Sequence, residues 1–148
     1  MENKLSFKLK EFYILEAYQV YFYSSQLNAF EDPHIINAYE LMIEIEQMHV
    51  DFFSKQMEKM GFQLPALTGA VFNAAGYLTG KSLNALDLKS RYKLAITFEN
   101  EAIKMYENFI SLIHNDPNLS ELTKNLWHFL VEEEFHQFWF KEHLSYLQ

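Results

Sequence analysis

Residues 126–144, LWHFLVEEEFHQFWFKEHL, combine three consecutive glutamates and a histidine with many large apolar side chains. The density of Leu, Phe and Trp predicts a helix that is buried along at least one face. An ionised carboxylate inside a protein costs several kcal/mol unless a partner compensates for its charge. The stretch therefore raises two questions: which glutamate points into the core, and what stabilises it there.

Apolar residues recur in alternating steps of three and four along four stretches of the chain, which predicts four long helices with one buried face each. Asp32 and Pro33 begin the second helix, Gly61 ends it, and Ser120 is a candidate N-cap of the fourth. Since no period-two run indicates a strand, we predict an all-α, single-domain four-helix bundle of two helical hairpins. The helices span about residues 8–30, 33–60, 87–114 and 120–147, and residues 61–86 form a long crossover with a short helix.

Each predicted helix carries one glutamate in the middle of its apolar stripe. In the fourth helix this residue is Glu133, because Glu132 and Glu134 are rotated by about 100° to either side. The second and fourth helices add a histidine three residues later, and the first and third add a tyrosine seven residues later, so the second hairpin repeats the first after about 85 residues. The candidate metal ligands are Glu16, Glu46, His49, Glu99, Glu133 and His136, with Tyr23 and Tyr106 as candidate hydrogen-bond partners of the carboxylates.

The four stripes contain these carboxylates but no Lys or Arg. Without a cation, some of the carboxyl groups would have to be protonated, with strongly raised pKa values. Two divalent ions would balance the charge of the carboxylates, and neutral imidazoles would complete a ligand set suited to Fe or Mn. A Glu and a His three residues apart are neighbours on a helix and can approach one metal ion. The pattern is that of the dimetal carboxylate bundles.

The composition excludes several other classes of protein. A formal net charge of −8 argues against a nucleic-acid partner, because phosphates would be repelled. The absence of cysteine excludes disulfides, thiolate zinc sites, iron–sulfur clusters and a rubredoxin-type module. The first residues, MENKLSFKLKEF, lack the apolar segment of a signal peptide, which predicts a cytoplasmic protein.

Residues 60–80, MGFQLPALTGAVFNAAGYLTG, contain all four glycines of the chain and no charged residue. Pro65, Asn73 and the glycines argue against a membrane span. Two alternatives stay open for this segment. It is either a connector packed on the helices or an interfacial segment resting on a membrane surface.

The constellation resembles the ferritin-like dimetal-carboxylate superfamily over nearly the whole chain. Within it, the sequence is most similar to the demethoxyubiquinone hydroxylases of ubiquinone biosynthesis. The similarity lies in LEAYQVYFYSSQ around Glu16, in the glycine-containing crossover, in LAITFENEAIKMYENFI and in EEEFH. It places the third-helix ligand on Glu99 rather than on Glu101. The sequence differs from the usual family pattern at residues 13–15, Tyr-Ile-Leu, before Glu16 and at Gln137 after His136.

The resemblance implies an oxidoreductase with two Fe ions, or Mn in their place, that hydroxylates a quinone-like ring with O2. It also implies an electron donor and a place at the inner membrane surface, reached through residues 60–80. The sequence leaves a monomer and a homodimer open. Two other functions stay open: a rubrerythrin-like peroxidase or ferroxidase that uses peroxide, and a non-catalytic helical interaction module without metal.

Overall fold

The computed structural model describes the backbone of residues 2–147 and the side chains of residues 4–147. This part of the chain consists of helices, turns and loops and contains no strand, which confirms the prediction of an all-α protein. Internal contacts divide the chain into two compact units, Met1–Asn84 and Ala85–Gln148. Each unit contains one helical hairpin. That both belong to a single domain stays a prediction.

The first unit contains the long helices α1 (Glu2–Ser24) and α2 (Pro33–Lys59), which pack against each other. Helix α1 begins and ends about six residues earlier than the predicted span. Its end differs because the backbone tightens: Gln26 N–H donates to the Tyr23 carbonyl, and a 3-10 turn follows over Leu27–Ala29. Residues 2–7, which the apolar stripe did not include, continue the helix towards the N-terminus.

The ends of α2 follow the sequence signals. The Asp32 carboxylate accepts a hydrogen bond from the His34 N–H at 2.9 Å, and Pro33 is the first helical residue. Beyond Lys59, Gly61 has a φ of 72° and donates to the Glu58 carbonyl, while the next residue donates back to the Met57 carbonyl. This is a Schellman ending, and it favours glycine because other residues rarely adopt that φ.

The crossover contains two short helices, α3 (Gly69–Ala74) and α4 (Gly80–Asn84), where the sequence predicted one. Thr68 caps the start of α3 through its hydroxyl, which accepts from the Val71 N–H. Gly76, with a φ of 85°, follows the end of α3, where the Tyr77 N–H donates to the Phe72 carbonyl. Gly80, which also has a positive φ of 58°, is the first residue of α4, so the crossover contains one helix more than predicted.

The crossover is attached to α1 through two tyrosines. The Tyr18 hydroxyl donates to the Leu78 carbonyl at 2.6 Å, and its ring stacks on Tyr77 at a centroid distance of 4.5 Å. The Tyr21 hydroxyl accepts from the Gly80 N–H at 2.9 Å. Burial raises the pKa of the Tyr18 phenol above its ordinary value. Within residues 2–147, no helix is both long and apolar enough to cross a membrane.

The second unit contains the long helices α5 (Leu88–Ile113) and α6 (Ser120–Tyr146), joined by a 3-10 turn over Pro117–Leu119. Asp87 caps α5 by accepting from the Ser90 N–H at 2.7 Å. The predicted N-cap of α6 is wrong: Ser120 is its first helical residue, and Leu119 takes the cap position without a side-chain hydrogen bond. The 3-10 turn leads directly into α6, so Ser120 already has helical backbone angles.

Candidate metal centre

The first unit brings together Glu16 from α1 with Glu46 and His49 from α2. All three side chains are fully buried. The Nδ1 atom of His49 lies 3.3 Å from Glu16 Oε2 and 3.2 Å from Glu46 Oε2. Donor atoms bound about 2.1 Å from one metal ion are roughly 3.0–3.4 Å apart, so these separations suit ligands of a common ion. We refer to these three residues as the first triad.

The second unit repeats the arrangement with Glu99 from α5 and Glu133 and His136 from α6. The two carboxylates are fully buried and the imidazole is almost so. The Nδ1 atom of His136 lies 3.8 Å from Glu99 Oε1 and 4.0 Å from Glu133 Oε2. One ligand atom from each of these residues lies within 4.8 Å of the others. This second triad has the same residue types as the first but is more open.

The position of Glu133 follows from helical geometry. Its side chain is buried, whereas Glu134 is exposed and Glu132 is half-buried. The apolar stripe through Leu126 and Phe140 defines the buried face, and Glu133 lies on it because of the steps of three and four. The inward glutamate is therefore the one that the stripe predicts.

Each triad contains more acidic than basic groups. Two ionised carboxylates accompany one imidazole, and even a protonated imidazole would leave one negative charge unbalanced. No Lys or Arg side chain is buried among residues 4–147, so no basic residue from the core balances that charge. A divalent ion with a neutral imidazole would neutralise each triad completely, and oxygen and nitrogen donors suit Fe or Mn. The residues present therefore fit a metal ion, and metal binding by the six ligands stays a prediction.

One residue of the site was not singled out by the sequence. Gln19 lies one turn after Glu16, is fully buried, and its Nε2 donates to Glu46 Oε1 at 3.3 Å. An amide in this position orients the carboxylate and leaves its other oxygen directed towards His49. The available signal was a glutamine on an apolar stripe, where a side chain that cannot ionise still needs hydrogen-bond partners.

The two tyrosines predicted to support the carboxylates are both fully buried. The Tyr23 ring packs edge-on against Tyr39 at 5.7 Å, and the Tyr106 ring packs against Phe129 at 6.2 Å. These contacts give both rings a packing role. Hydrogen bonding of their hydroxyls to the ligands stays a prediction.

Comparison with known families shows to which family the chain is related. The profile of the family described as "Ubiquinone biosynthesis protein COQ7" matches residues 16–145. The match begins at Glu16 and includes all six candidate ligands. The chain belongs to the COQ7 family. No curated protein and no solved structure shows significant similarity to it.

The COQ7 family consists of ferritin-like di-iron hydroxylases of ubiquinone biosynthesis, which confirms the predicted family and the predicted fold class. The family is an enzyme family, and its cofactor agrees with the two buried Glu–Glu–His triads. The chain has all six candidate ligands and differs from the resembled enzymes at a neighbouring position. Gln137, where the resembled enzymes usually have histidine, donates through Nε2 to Asn100 Oδ1 and so joins α6 to α5 beside His136 and Glu99.

Proposed function

We propose that the protein is an O2-dependent di-iron hydroxylase that acts on a quinone- or quinol-type ring. Membership of the COQ7 family supports the substrate class and the reaction. The observation that carries the proposal is the pair of buried triads, each with two carboxyl groups and one imidazole, in a core that contains no buried Lys or Arg among residues 4–147. We propose iron as the native metal, because the family is a di-iron family.

In this proposal the protein residues hold and neutralise the cofactor. The carboxylates of Glu16, Glu46, Glu99 and Glu133 supply negative oxygen donors, and the two histidines supply neutral nitrogen donors. Gln19 holds Glu46 in one orientation, which reduces the reorganisation needed when the charge at the site changes. Iron bound by the triads would supply the O2 chemistry that no side chain can perform.

The reaction replaces a ring C–H bond with a C–OH bond. One oxygen atom of O2 enters the ring, and the other leaves as water after taking up two protons and two electrons from an external donor. Phe12 and Phe53 lie one helical turn from Glu16 and His49, stack at 4.9 Å and are fully buried, which supports a site closed to water.

A single-turnover experiment tests the proposal. Protein loaded with Fe(II) under anaerobic conditions already contains the two electrons needed, so it is mixed with isotopically labelled O2 and a short-chain methoxyquinol that lacks one ring substituent. We expect one labelled oxygen atom in the product, detected by mass spectrometry. Glu133→Ala should abolish product formation, whereas the matched variant Glu134→Ala, which changes the exposed neighbour, should react normally.

Two outcomes would contradict the proposal. If peroxide oxidised the loaded protein much faster than O2 and no product formed, the chain would function as a rubrerythrin-like peroxidase. If purified protein bound no iron at all, the chain would be a helical interaction module.

We also propose that the crossover rests on a membrane surface where an apolar quinone is dissolved. Residues 60–80 are uncharged and largely exposed, including Leu67 and Leu78. Co-sedimentation with phosphatidylcholine vesicles tests this. Leu67→Glu should reduce the bound fraction, and unchanged sedimentation of this variant would contradict the proposal.

A further inference from the structure

The side of α6 that faces away from the second triad carries a continuous row of large apolar side chains. We define the outer face of α6 by its four members, Trp127, Val131, Phe135 and Phe138, which are 54%, 45%, 68% and 65% exposed. They follow one another in steps of four, four and three residues. Val131 and Phe135 are each rotated by about 160° from Glu133, so the outer face is not an extension of the buried stripe.

No other described helix has such a row. Helix α2 exposes Leu41 and Met48, but these are seven residues apart and the exposed Glu44 lies between them on that side. Isolated exposed apolar residues are normal on a protein surface, whereas a contiguous patch of four, three of them aromatic, marks an interaction surface. Aromatic residues of this kind dominate the binding energy of protein interfaces.

The charges at the two ends of the outer face identify the partner. Lys124 lies one turn before Trp127, and Glu142 lies one turn after Phe138; both are exposed. Lys124 makes no salt bridge within residues 4–147, and the Glu142 carboxylate accepts a hydrogen bond from the Tyr146 hydroxyl at 2.9 Å. Residues 124 and 142 both lie nine positions from residue 133. The outer face thus has opposite charges at equal distances from its centre.

We propose that the outer face of α6 pairs with the same face of a second copy of this chain, with the two helices antiparallel. A two-fold axis level with residue 133 places Lys124 of each copy opposite Glu142 of the other. It also places Val131 opposite Phe135 and brings Trp127 of each copy within one position of Phe138 of the other, so the apolar residues of the two faces meet. Such a contact closes as a dimer.

The same charges argue against other arrangements. A parallel pairing would place Lys124 opposite its own counterpart and Glu142 opposite its own, and like charges in contact are unfavourable. A membrane surface would be favoured by basic residues along the face, whereas this face has one Lys and one Glu at its ends, and the chain has a net charge of −8. The proposal concerns a surface away from the triads, so it does not depend on metal binding.

Sedimentation of the full-length chain over a concentration series tests the pairing. We expect a monomer–dimer equilibrium for the natural sequence. Phe135→Glu should weaken the dimer by about 30-fold, because it places a charge at the centre of the contact. Leu41→Glu, at an equally exposed apolar residue of α2, is the matched control and should leave the dissociation constant unchanged.

Charge reversal tests the antiparallel orientation. Lys124→Glu and Glu142→Lys should each weaken the dimer, by roughly fivefold, and the double variant should restore it. Since these residues are exposed, the variants should keep the fold. The proposal is overturned if the natural chain stays monomeric at every concentration, if Phe135→Glu dimerises normally, or if the double variant is weaker than either single one. Binding of the monomer to phosphatidylcholine vesicles that Phe135→Glu abolishes would also overturn it.

Discussion

The two helical hairpins present the same three residue types, two glutamates and a histidine, in different surroundings. In the first triad the His49 nitrogen is 3.2–3.3 Å from both carboxylates, whereas in the second triad the His136 nitrogen is 3.8–4.0 Å away. Gln19 supports Glu46 in the first, but the equivalent residue three positions after Glu99 is Ala102. A repeated ligand pattern therefore does not imply two equivalent metal sites.

This difference has a chemical consequence. A site whose donor atoms already have the separations of metal ligands needs less rearrangement on binding than a more open one. We therefore expect the first triad to bind its ion more tightly. The donor atoms of the second triad should move further when an ion binds. Ala102 occupies the position in the second hairpin that is equivalent to Gln19, and its side chain has no amide that could hold a carboxylate of the second triad in place.

The largest expected effect is the loss of one ion on removal of either histidine. His49→Ala and His136→Ala should each reduce the bound metal from two ions to one, and the ion that remains in His136→Ala should be the tighter one. At a metal concentration 100-fold above the dissociation constant, each lost ion removes about 2.7 kcal/mol of stabilisation.

Elemental analysis and denaturant melts with and without Fe(II) measure these losses. His128→Ala, at an exposed histidine of the same helix α6, is the control and should keep both ions. Retention of two ions by both ligand variants would show that the triads do not bind metal.

The second prediction tests the hydrogen bond from Gln19 to Glu46 in the first triad. Gln19→Leu should weaken metal binding there by roughly 10–100-fold, because Glu46 loses its hydrogen bond. Gln26→Leu is the matched control: Gln26 is the other buried glutamine of this hairpin, and its amide donates to the Phe22 carbonyl rather than to a ligand. Titration with Co(II), followed by absorbance, measures both. If both variants weakened metal binding equally, Gln19 would act only through packing and not through its hydrogen bond to Glu46.

A smaller effect concerns the crossover, which the first hairpin holds through Tyr18. Tyr18→Phe should destabilise the protein by about 1 kcal/mol, because the Leu78 carbonyl loses its donor. The folded protein raises the pKa of Tyr18, so its contribution is complete below the ordinary tyrosine pKa of about 10 and is lost as the pH rises through the folded value. The difference between the natural chain and the variant should therefore shrink above pH 10.

Urea denaturation at a series of pH values measures this difference. Tyr13→Phe is the control, because the Tyr13 hydroxyl makes no hydrogen bond within residues 4–147. If Tyr13→Phe cost as much as Tyr18→Phe, the attachment of the crossover through the Leu78 carbonyl would be refuted.

The smallest effect is expected at the start of the second hairpin, where Asp87 caps α5. The hydrogen bond from the Ser90 N–H lowers the pKa of the Asp87 carboxyl below its ordinary value. Its contribution to stability is therefore present above the ordinary aspartate pKa and is lost as the pH falls through the lower folded value. Asp87→Asn should keep the cap and abolish this pH dependence, and Asp87→Ala should lower the melting temperature at every pH. If Asp87→Asn and the natural chain had the same melting temperature at every acid pH, the Asp87 carboxyl would not be the source of the pH dependence.

The helices and the triads were predictable because they depend on local periodicity. A Glu and a His three residues apart lie on one face of any helix, and the apolar stripe determines which face is buried. This is why Glu133 could be distinguished from Glu132 and Glu134. The caps at Asp32 and Gly61 follow for the same reason, because each depends on residues within one turn. The predictions failed where a neighbouring turn changed the backbone, at the end of α1, at Ser120 and in the crossover.

The amino-acid sequence alone determined which residue types face the core and in what order they recur, since the helical repeat acts over a few residues. Tertiary structure decided what those residues touch. The contact of Gln19 with Glu46, the attachment of Tyr18 to the crossover and the different openness of the two triads depend on how neighbouring segments pack. Segments distant in the chain set these distances through the packing of all their side chains together. No spacing within one segment contains that information.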